Sequence, residues 1–241
     1  MDSLKGILFI DIETVPVQPG YDLLSPDLQR EWDKKARLIK VAPEGNSEPA
    51  ALFAERSGVF SEFAKVVCIG IGSMYWHDGQ WKMRLKALTN DNENTLLNDF
   101  SRILERFSLQ NKEVRFCGHN IKEFDIPFLC RRMIINAMPI PACMQFQGKK
   151  PWEISHLDTM ELWRFGDYKN FTSLSLLAAV LGIPSPKSDL DGSMVAGVYY
   201  NDKDLPRIAS YCLQDVYTSA KVYLKLVGIR DIDPVAVYAD V

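Results

Sequence analysis

The sequence predicts an α/β fold in which a mixed central sheet is flanked by helices. Apolar, β-branched runs come mostly first, and amphipathic helical patterns follow and interleave with them. The 241 residues are enough to bury a full core, and 47% hydrophobic with 24% charged residues is ordinary globular composition. No repeat or low-complexity linker interrupts the chain. Residues 1–241 are therefore expected to form a single domain, with a loop and helix insertion at about residues 15–65.

The elements follow in order. An apolar strand opens the chain at Gly6 to Thr14. In the polar segment after it, Ser25 is placed to cap a helix with Pro26 at its first position. "APEGNSEPAALFAE" predicts a loop leading into a short second helix. "KVVCIGIGSMYWHDGQWKMRLKAL" predicts two strands joined by a turn at Asp78-Gly79. Leu96, Leu97, Phe100, Ile103, Leu104 and Phe107 then recur at helical period. "EVRFCGHN" predicts a short strand ending at Gly118, and "FDIPFLCRRMIINA" a helix with Pro127 in its first turn. "SHLDTMELW" predicts a short strand turning into a helix, and "SLSLLAAVLGI" a helix stopped by Gly182 and Pro184. A last long helix is expected from about Leu205 through "RIASYCLQDVYTSAKVYLKLVG".

The first strand raises a chemical question. In "ILFIDIETVP", Asp11 and Glu13 are two residues apart, so their carboxylates share one face of a strand. Burying two like charges unpaired costs several kcal/mol or forces a proton onto one. A divalent cation resolves the conflict. Asp125 supplies a further carboxylate where a strand meets a helix N-terminus, the usual place for a ligand site in an open α/β sheet. An acidic residue also suits a first helical turn for dipole reasons alone. Tyr211 and Asp215, spaced i, i+4, share one face of the last helix, beside Cys212, Val216 and Ala220, which look like core. Alone, that pair equally describes a half-buried tyrosine and a solvated aspartate.

Composition narrows the setting. A net charge of -3 argues against a broad basic surface that grips nucleic acid by charge alone. The five cysteines, Cys68, Cys117, Cys130, Cys143 and Cys212, are widely spaced and never form Cys-x-x-Cys, so neither a zinc knuckle nor a disulfide framework is expected. A reducing cytoplasm fits this pattern. No signal peptide is apparent, and no apolar stretch approaches the length of a membrane span.

Taken in order, Asp11-x-Glu13, "GHNIKEFD" and Tyr211-x-x-x-Asp215 resemble the motifs of the DEDD exonucleases in their tyrosine variant, a family of ribonuclease H-like fold. The middle block is similar to that of the 3'-5' proofreading exonuclease domain of family-B DNA polymerases, matched at Asn120, Ile121, Phe124 and Asp125, with His119 in place of the usual tyrosine. "FAKVVCIGIG", "KKPWEISHLDTMELWRFGD" and "DGSMVAGVYY" are similar to stand-alone bacterial polymerase-B-like exonucleases. Histidines occur only at His77, His119 and His156, so the variant with a histidine base in the third motif is excluded.

The resemblance implies hydrolysis of phosphodiester bonds with two divalent cations, Mg²⁺ or Mn²⁺, roughly 4 Å apart. It implies that Asp11 bridges both cations, that Glu13 and Asp215 complete the water-activating one, and that Asp125 holds the other partly through water. It gives Tyr211 the orientation of the attacking water. The implied substrate is the 3' end of a single-stranded nucleic acid, DNA rather than RNA, with Thr14, Asn120 and Phe124 as candidate nucleotide contacts. Thr14 equally suits a turn role, and Phe124 a core role. Asp158 either supports the site or caps a helix, and Trp152 and Trp163 either stack on bases or pack. Arg131, Arg132, Lys149 and Lys150 either touch phosphates or form a solvated face. A non-catalytic module that binds nucleic-acid ends, and a ribonuclease that trims RNA 3' ends, are the rival expectations. A proofreading or repair role would be carried out alone or with a replication or repair partner in trans.

Overall fold

A computed structural model describes residues 4–42, 45–184 and 189–239. Six strands form one mixed sheet in the order β5-β4-β1-β2-β3-β6. They are β1 (Ile7–Pro16), β2 (Ala64–His77), β3 (Gln80–Thr89), β4 (Arg115–Gly118), β5 (Leu157–Asp158) and β6 (Val235–Tyr238). β1, β2 and β3 are antiparallel neighbours, while β4 runs parallel to β1, β5 to β4, and β6 to β3. The helices are α1 (Pro26–Ala36), α2 (Pro49–Arg56), α3 (Glu93–Gln110), α4 (Asp125–Ile135), α5 (Thr159–Arg164), α6 (Leu174–Val180), α7 (Val195–Gly197) and α8 (Leu205–Leu226). Among the described residues no helix is long and apolar enough to cross a membrane.

Local chemistry accounts for the boundaries. Asp78 and Gly79 both take positive φ, the two-residue geometry whose twist matches antiparallel strands, and so close the β2–β3 hairpin. Ser25, Asn92 and Ser173 cap α1, α3 and α6 by accepting from backbone N–H groups in the first turn, and Pro26 occupies the first position of α1. Gly182 takes positive φ just past α6, as a helix stop requires. β1 runs two residues further than the expected Thr14, because Val15 and Pro16 continue the antiparallel ladder opposite Lys65 and Ala64 of β2. In the expected loop before α2, Pro43 and Glu44 lie outside the described residues. β6, which the sequence reading did not anticipate, pairs with the outer edge of β3.

The alternation of β1 sorts the core into two faces. Leu8, Ile10 and Ile12 join Leu96, Phe100, Phe116, Phe128 and Leu129 under α3 and α4. Ile7 and Phe9 face the other way, against Val216, Ala220 and Leu224 of α8. Trp32, Phe53, Phe60 and Phe63 pack edge-to-face in a smaller cluster that closes the insertion between β1 and β2.

Two features fix the helices on this sheet. α8 crosses β1, β2 and β3, and it comes close because β2 carries glycine where the two surfaces meet. A Cβ at Gly70 would stand 2.7 Å from Cys212 Sγ and 2.9 Å from Val216 Cγ2, and one at Gly72 would collide with Met83. On the opposite face Arg132 is buried, contrary to the expectation of a phosphate contact or a solvated face. Its guanidinium donates to both carboxylate oxygens of Glu93, at 2.9 and 2.6 Å, and to the Ser61 carbonyl at 2.8 Å. Glu93 also accepts from the Val66 amide and the Asn136 side chain, so the network ties α3, α4, β2 and the insertion together.

Arg132→Met is therefore expected to destabilise the chain by about 3–5 kcal/mol, since it strands a buried carboxylate. Pairing it with Glu93→Leu recovers most of the loss, as denaturant titration of both variants will show. Gly70→Ala forces α8 off the sheet or distorts Cys212, a strain of about 1–3 kcal/mol. A melting temperature unchanged by that substitution would refute the tight α8–β2 contact.

Candidate active site

The site is built from the end of β1, the start of α4 and the middle of α8. Asp11 and Glu13 continue the Ile7, Phe9 series on the face of β1 that looks at α8. They stand opposite Gly70 and Cys68 of β2, and the ladder shifts register just beyond Glu13. Such a shift re-aims the side chains beside it. Glu13 is buried, and Asp11 is half-buried.

Asp125 arrives from the other face of the sheet. β4 ends at Gly118, so the Ile12 amide extends past the parallel ladder, and Asp125 Oδ1 accepts it at 3.0 Å. One carboxylate of the site is thus fastened to the strand that carries two others. Gly118 permits the turn between them, because a Cβ there would lie 2.5 Å from the Ile10 carbonyl. The intervening loop is held by Asp158, a buried residue at the end of β5. Its carboxylate accepts from the amides of Asn120 and Lys122 at 3.0 Å and also caps α5 through Met160 and Glu161. Both roles considered for Asp158 are filled at once.

α8 completes the arrangement. Tyr211 and Asp215 occupy one helical face, close enough for the phenol to offset part of the effect of burial on the Asp215 carboxylate. Cys212 is fully buried, but it is more than core. Its thiol donates to the Asp11 carbonyl at 3.4 Å, and its Sγ, one Asp11 oxygen and one Glu13 oxygen all lie within 4.8 Å of one another.

Electrostatics give this cluster its character. Burial raises the Asp11 carboxyl well above the usual range, and the charges of Glu13, Asp125 and Asp215 raise it further. Glu13 is raised the same way, by burial first and then by Cys68, Asp215 and Asp125. Burial moves Asp125 to about 7 despite the bond from Ile12, and Asp215 to about 6 despite Tyr211. The Cys212 thiol is also pushed up by burial. Buried carboxyl groups that hold protons for want of positive charge fit a hard divalent cation, which oxygen donors suit. Burial, followed by the charge of Asp215, pushes the Tyr211 phenol far above its ordinary value, so it stays protonated.

The other expected contacts divide. The Thr14 hydroxyl is committed to the Gly58 carbonyl at 2.7 Å, tying β1 to the insertion. Phe124 packs on the core with its ring tilted against Phe128. Asn120 adopts positive φ, and its Oδ1 is buried without a partner among the described residues. His119 lies 2.9 Å from the Thr159 hydroxyl and donates from Nε2 to the Thr172 carbonyl at 2.8 Å. Trp152 is exposed, and Lys150 lies over its ring. Sequence reasoning missed Gly70 and the second role of Cys212. Two glycines at i, i+2 on one strand face were the available signal for close helix approach.

Residues 59–236 match the family model described as a predicted 3'-5' exonuclease related to the exonuclease domain of PolB. The match contains Asp125, Tyr211 and Asp215, while Asp11 and Glu13 precede it. A family B DNA polymerase from the hyperthermophilic archaeon Pyrobaculum calidifontis has a similar fold, with a TM-score of 0.55 at 15% identity. The alignment covers 92% of this chain and 24% of the polymerase, so the chain spans about a quarter of that protein. Comparison with curated protein sequences finds no match. The chain belongs to the family of predicted 3'-5' exonucleases related to the exonuclease domain of PolB.

Proposed function

We propose that the chain hydrolyses single-stranded nucleic acid from its 3' end, DNA in preference to RNA, releasing nucleoside monophosphates with the help of two divalent cations. The convergence of Asp11, Glu13, Asp125 and Asp215 supports this reading: four carboxyl groups from three separate elements, each with its proton affinity raised mainly by burial. Proteins seldom bury like charges together without a cation or a proton to share. The resemblance to a DNA polymerase supports the preference for DNA.

Asp11, Glu13 and Asp215 would hold one cation, and Asp125 the other with a share of Asp11. When bound, Mg²⁺ or Mn²⁺ supplies charge neutralisation at the phosphoryl oxygens and a more acidic water. The protein's own residues supply placement. β1 and α8 set Glu13 and Asp215 on one side, and the Ile12–Asp125 bond fixes the opposite side. Tyr211, held protonated, orients the attacking water through its hydroxyl and takes no proton from it.

Asp11→Asn and Asp215→Asn are expected to abolish Mn²⁺-dependent mononucleotide release from a 3'-labelled strand while the fold is kept. Retained cleavage in both variants would sink the proposal. Tyr211→Phe lowers kcat by about 10- to 100-fold, within the range for a lost positioning contact, and leaves cation affinity nearly unchanged.

The raised carboxyl groups also set a pH dependence. Their folded-state values lie above those of the unfolded chain, so the folded protein holds extra protons at about pH 4–7 and loses that stabilisation as pH rises through the folded values. A cation substitutes for those protons. The rise in melting temperature caused by Mn²⁺ is therefore expected to grow from about pH 5.5 to about pH 8. A rise independent of pH, or one equal in Asp11→Asn, would argue against cation binding at these carboxylates.

A further inference from the structure

We propose that the segment Trp163 to Phe171 is a stacking platform for the unpaired bases of the strand that leads to the carboxylates, an inference that rests on the nuclease reading above. The sequence there is "WRFGDYKNF", with aromatic rings at 163, 165, 168 and 171 and cations at Arg164 and Lys169 between them. Phe165, Tyr168 and Phe171 are 90%, 74% and 68% exposed. Single exposed apolar side chains are ordinary, but successive exposed rings on one short segment mark a binding surface.

The backbone adds an independent sign. Phe165 ends α5 with φ +46, a conformation that suits glycine and is rare for a bulky residue. Gly166 follows with φ +89, so the chain had a glycine within one position of this bend. The Phe165 ring is almost wholly exposed, and burial in the fold does not explain why phenylalanine stands there. Strain of this kind collects where a side chain is presented to a ligand.

The segment is placed beside the site. β1, β4 and β5 run parallel, so their C-terminal ends open on one edge of the sheet, and α5 begins directly at the end of β5. α5 packs on α8, which carries Tyr211 and Asp215. One bond from the segment and two from its flanks clip it to the loop that ends at Asp125: Arg164 with Glu123 at 3.1 Å, Glu161 with Lys122 at 2.6 Å, and the Thr172 carbonyl with His119 at 2.8 Å.

The chemistry selects the occupant. Every base offers a π-face to an aromatic ring, whereas bases inside a duplex are already stacked on one another. Arg164 lies over the Tyr168 ring, 5.8 Å from its centre, which adds a cation to that face. Asp167 is the one acidic side chain of the segment, and its carboxylate is engaged by the Lys169 amide and the Asn170 side chain. Arg164 is already paired with Glu123, so Lys169, exposed between the Tyr168 and Phe171 rings, is the cation left to a phosphate of a strand whose bases stack without sequence preference.

The test compares wild type with the combined variant Phe165→Gly, Tyr168→Ser, Phe171→Ser, in which glycine at 165 also relieves the backbone. Its melting temperature should match or exceed that of wild type. Affinity for a fluorescent single strand of about 12 nucleotides, well within the span of such platforms, should fall about tenfold or more, and KM on that strand should rise. Cleavage of a dinucleotide, which has no leading strand to lay on the rings, and affinity for a blunt duplex should not change. Unchanged strand affinity, or an equal loss with the dinucleotide, overturns the platform. A wild-type chain that binds no strand overturns it as well and assigns the rings to another partner. If wild type binds strands but cuts neither substrate, the nuclease reading fails, and the affinity comparison still decides the platform.

Discussion

The arrangement depends on one unfavourable fact: like-charged carboxyl groups are gathered where water is scarce. Burial raises the proton affinity of Asp11, Glu13, Asp125 and Asp215, and neighbouring negative groups raise that of the first three further. Left to itself, such a cluster would swing its side chains outward or pull its elements apart. The surrounding structure prevents both. Asp125 is fastened to the Ile12 amide, and α8 is seated on a glycine floor at Gly70 and Gly72. Strain held by a rigid frame is the usual form of a preorganised charge site.

The frame is itself polar and buried in two places, with different consequences. Asp158 gathers four backbone amides and fixes the loop from Asn120 to Asp125, so it acts on the geometry of the site. Glu93 and Arg132 lie under α4 on the far face, where their bidentate pair sets how α3, α4 and the insertion meet. The first network positions a carboxylate directly. The second does so only through the seat of α4, and its loss is felt mainly as lost stability.

Much of this was legible in the sequence, for physical reasons that can be named. Strand alternation places Asp11 and Glu13 on one face without any structure, and the i, i+4 rule does the same for Tyr211 and Asp215. The hairpin at Asp78-Gly79, the cap at Ser25 and the helix stop at Gly182 are local chemistry, written in adjacent residues. What stayed hidden is long-range. The bond from Ile12 to Asp125 joins positions 113 apart, and Arg132 looked solvated because its partner lies 39 residues away. β6 is four residues long, and the edge of β3 that receives it is a tertiary feature with no local signature. Thr14 was ambiguous between a nucleotide and a turn, and its hydroxyl joins β1 to the insertion at Gly58.

The tyrosine in the third motif constrains the chemistry more than its place in the motif suggests. Burial, and then the charge of Asp215, raise the proton affinity of this half-buried phenol, which makes it a poor base near neutral pH. The histidines do not fill that role. His119 is held between Thr159 and Thr172 with its proton affinity lowered by burial, His156 is buried and pushed down to about 4, and His77 sits at the far end of the β2–β3 hairpin. Among the groups facing the site, the carboxyls of Asp125 and Asp215 are the ones whose values, about 7 and about 6, approach neutral pH. These groups are also the proposed cation ligands, and a bound cation favours their charged form. In the proposed reaction charge and proton would thus compete for one set of oxygen atoms, and Tyr211 would steer the water without removing its proton.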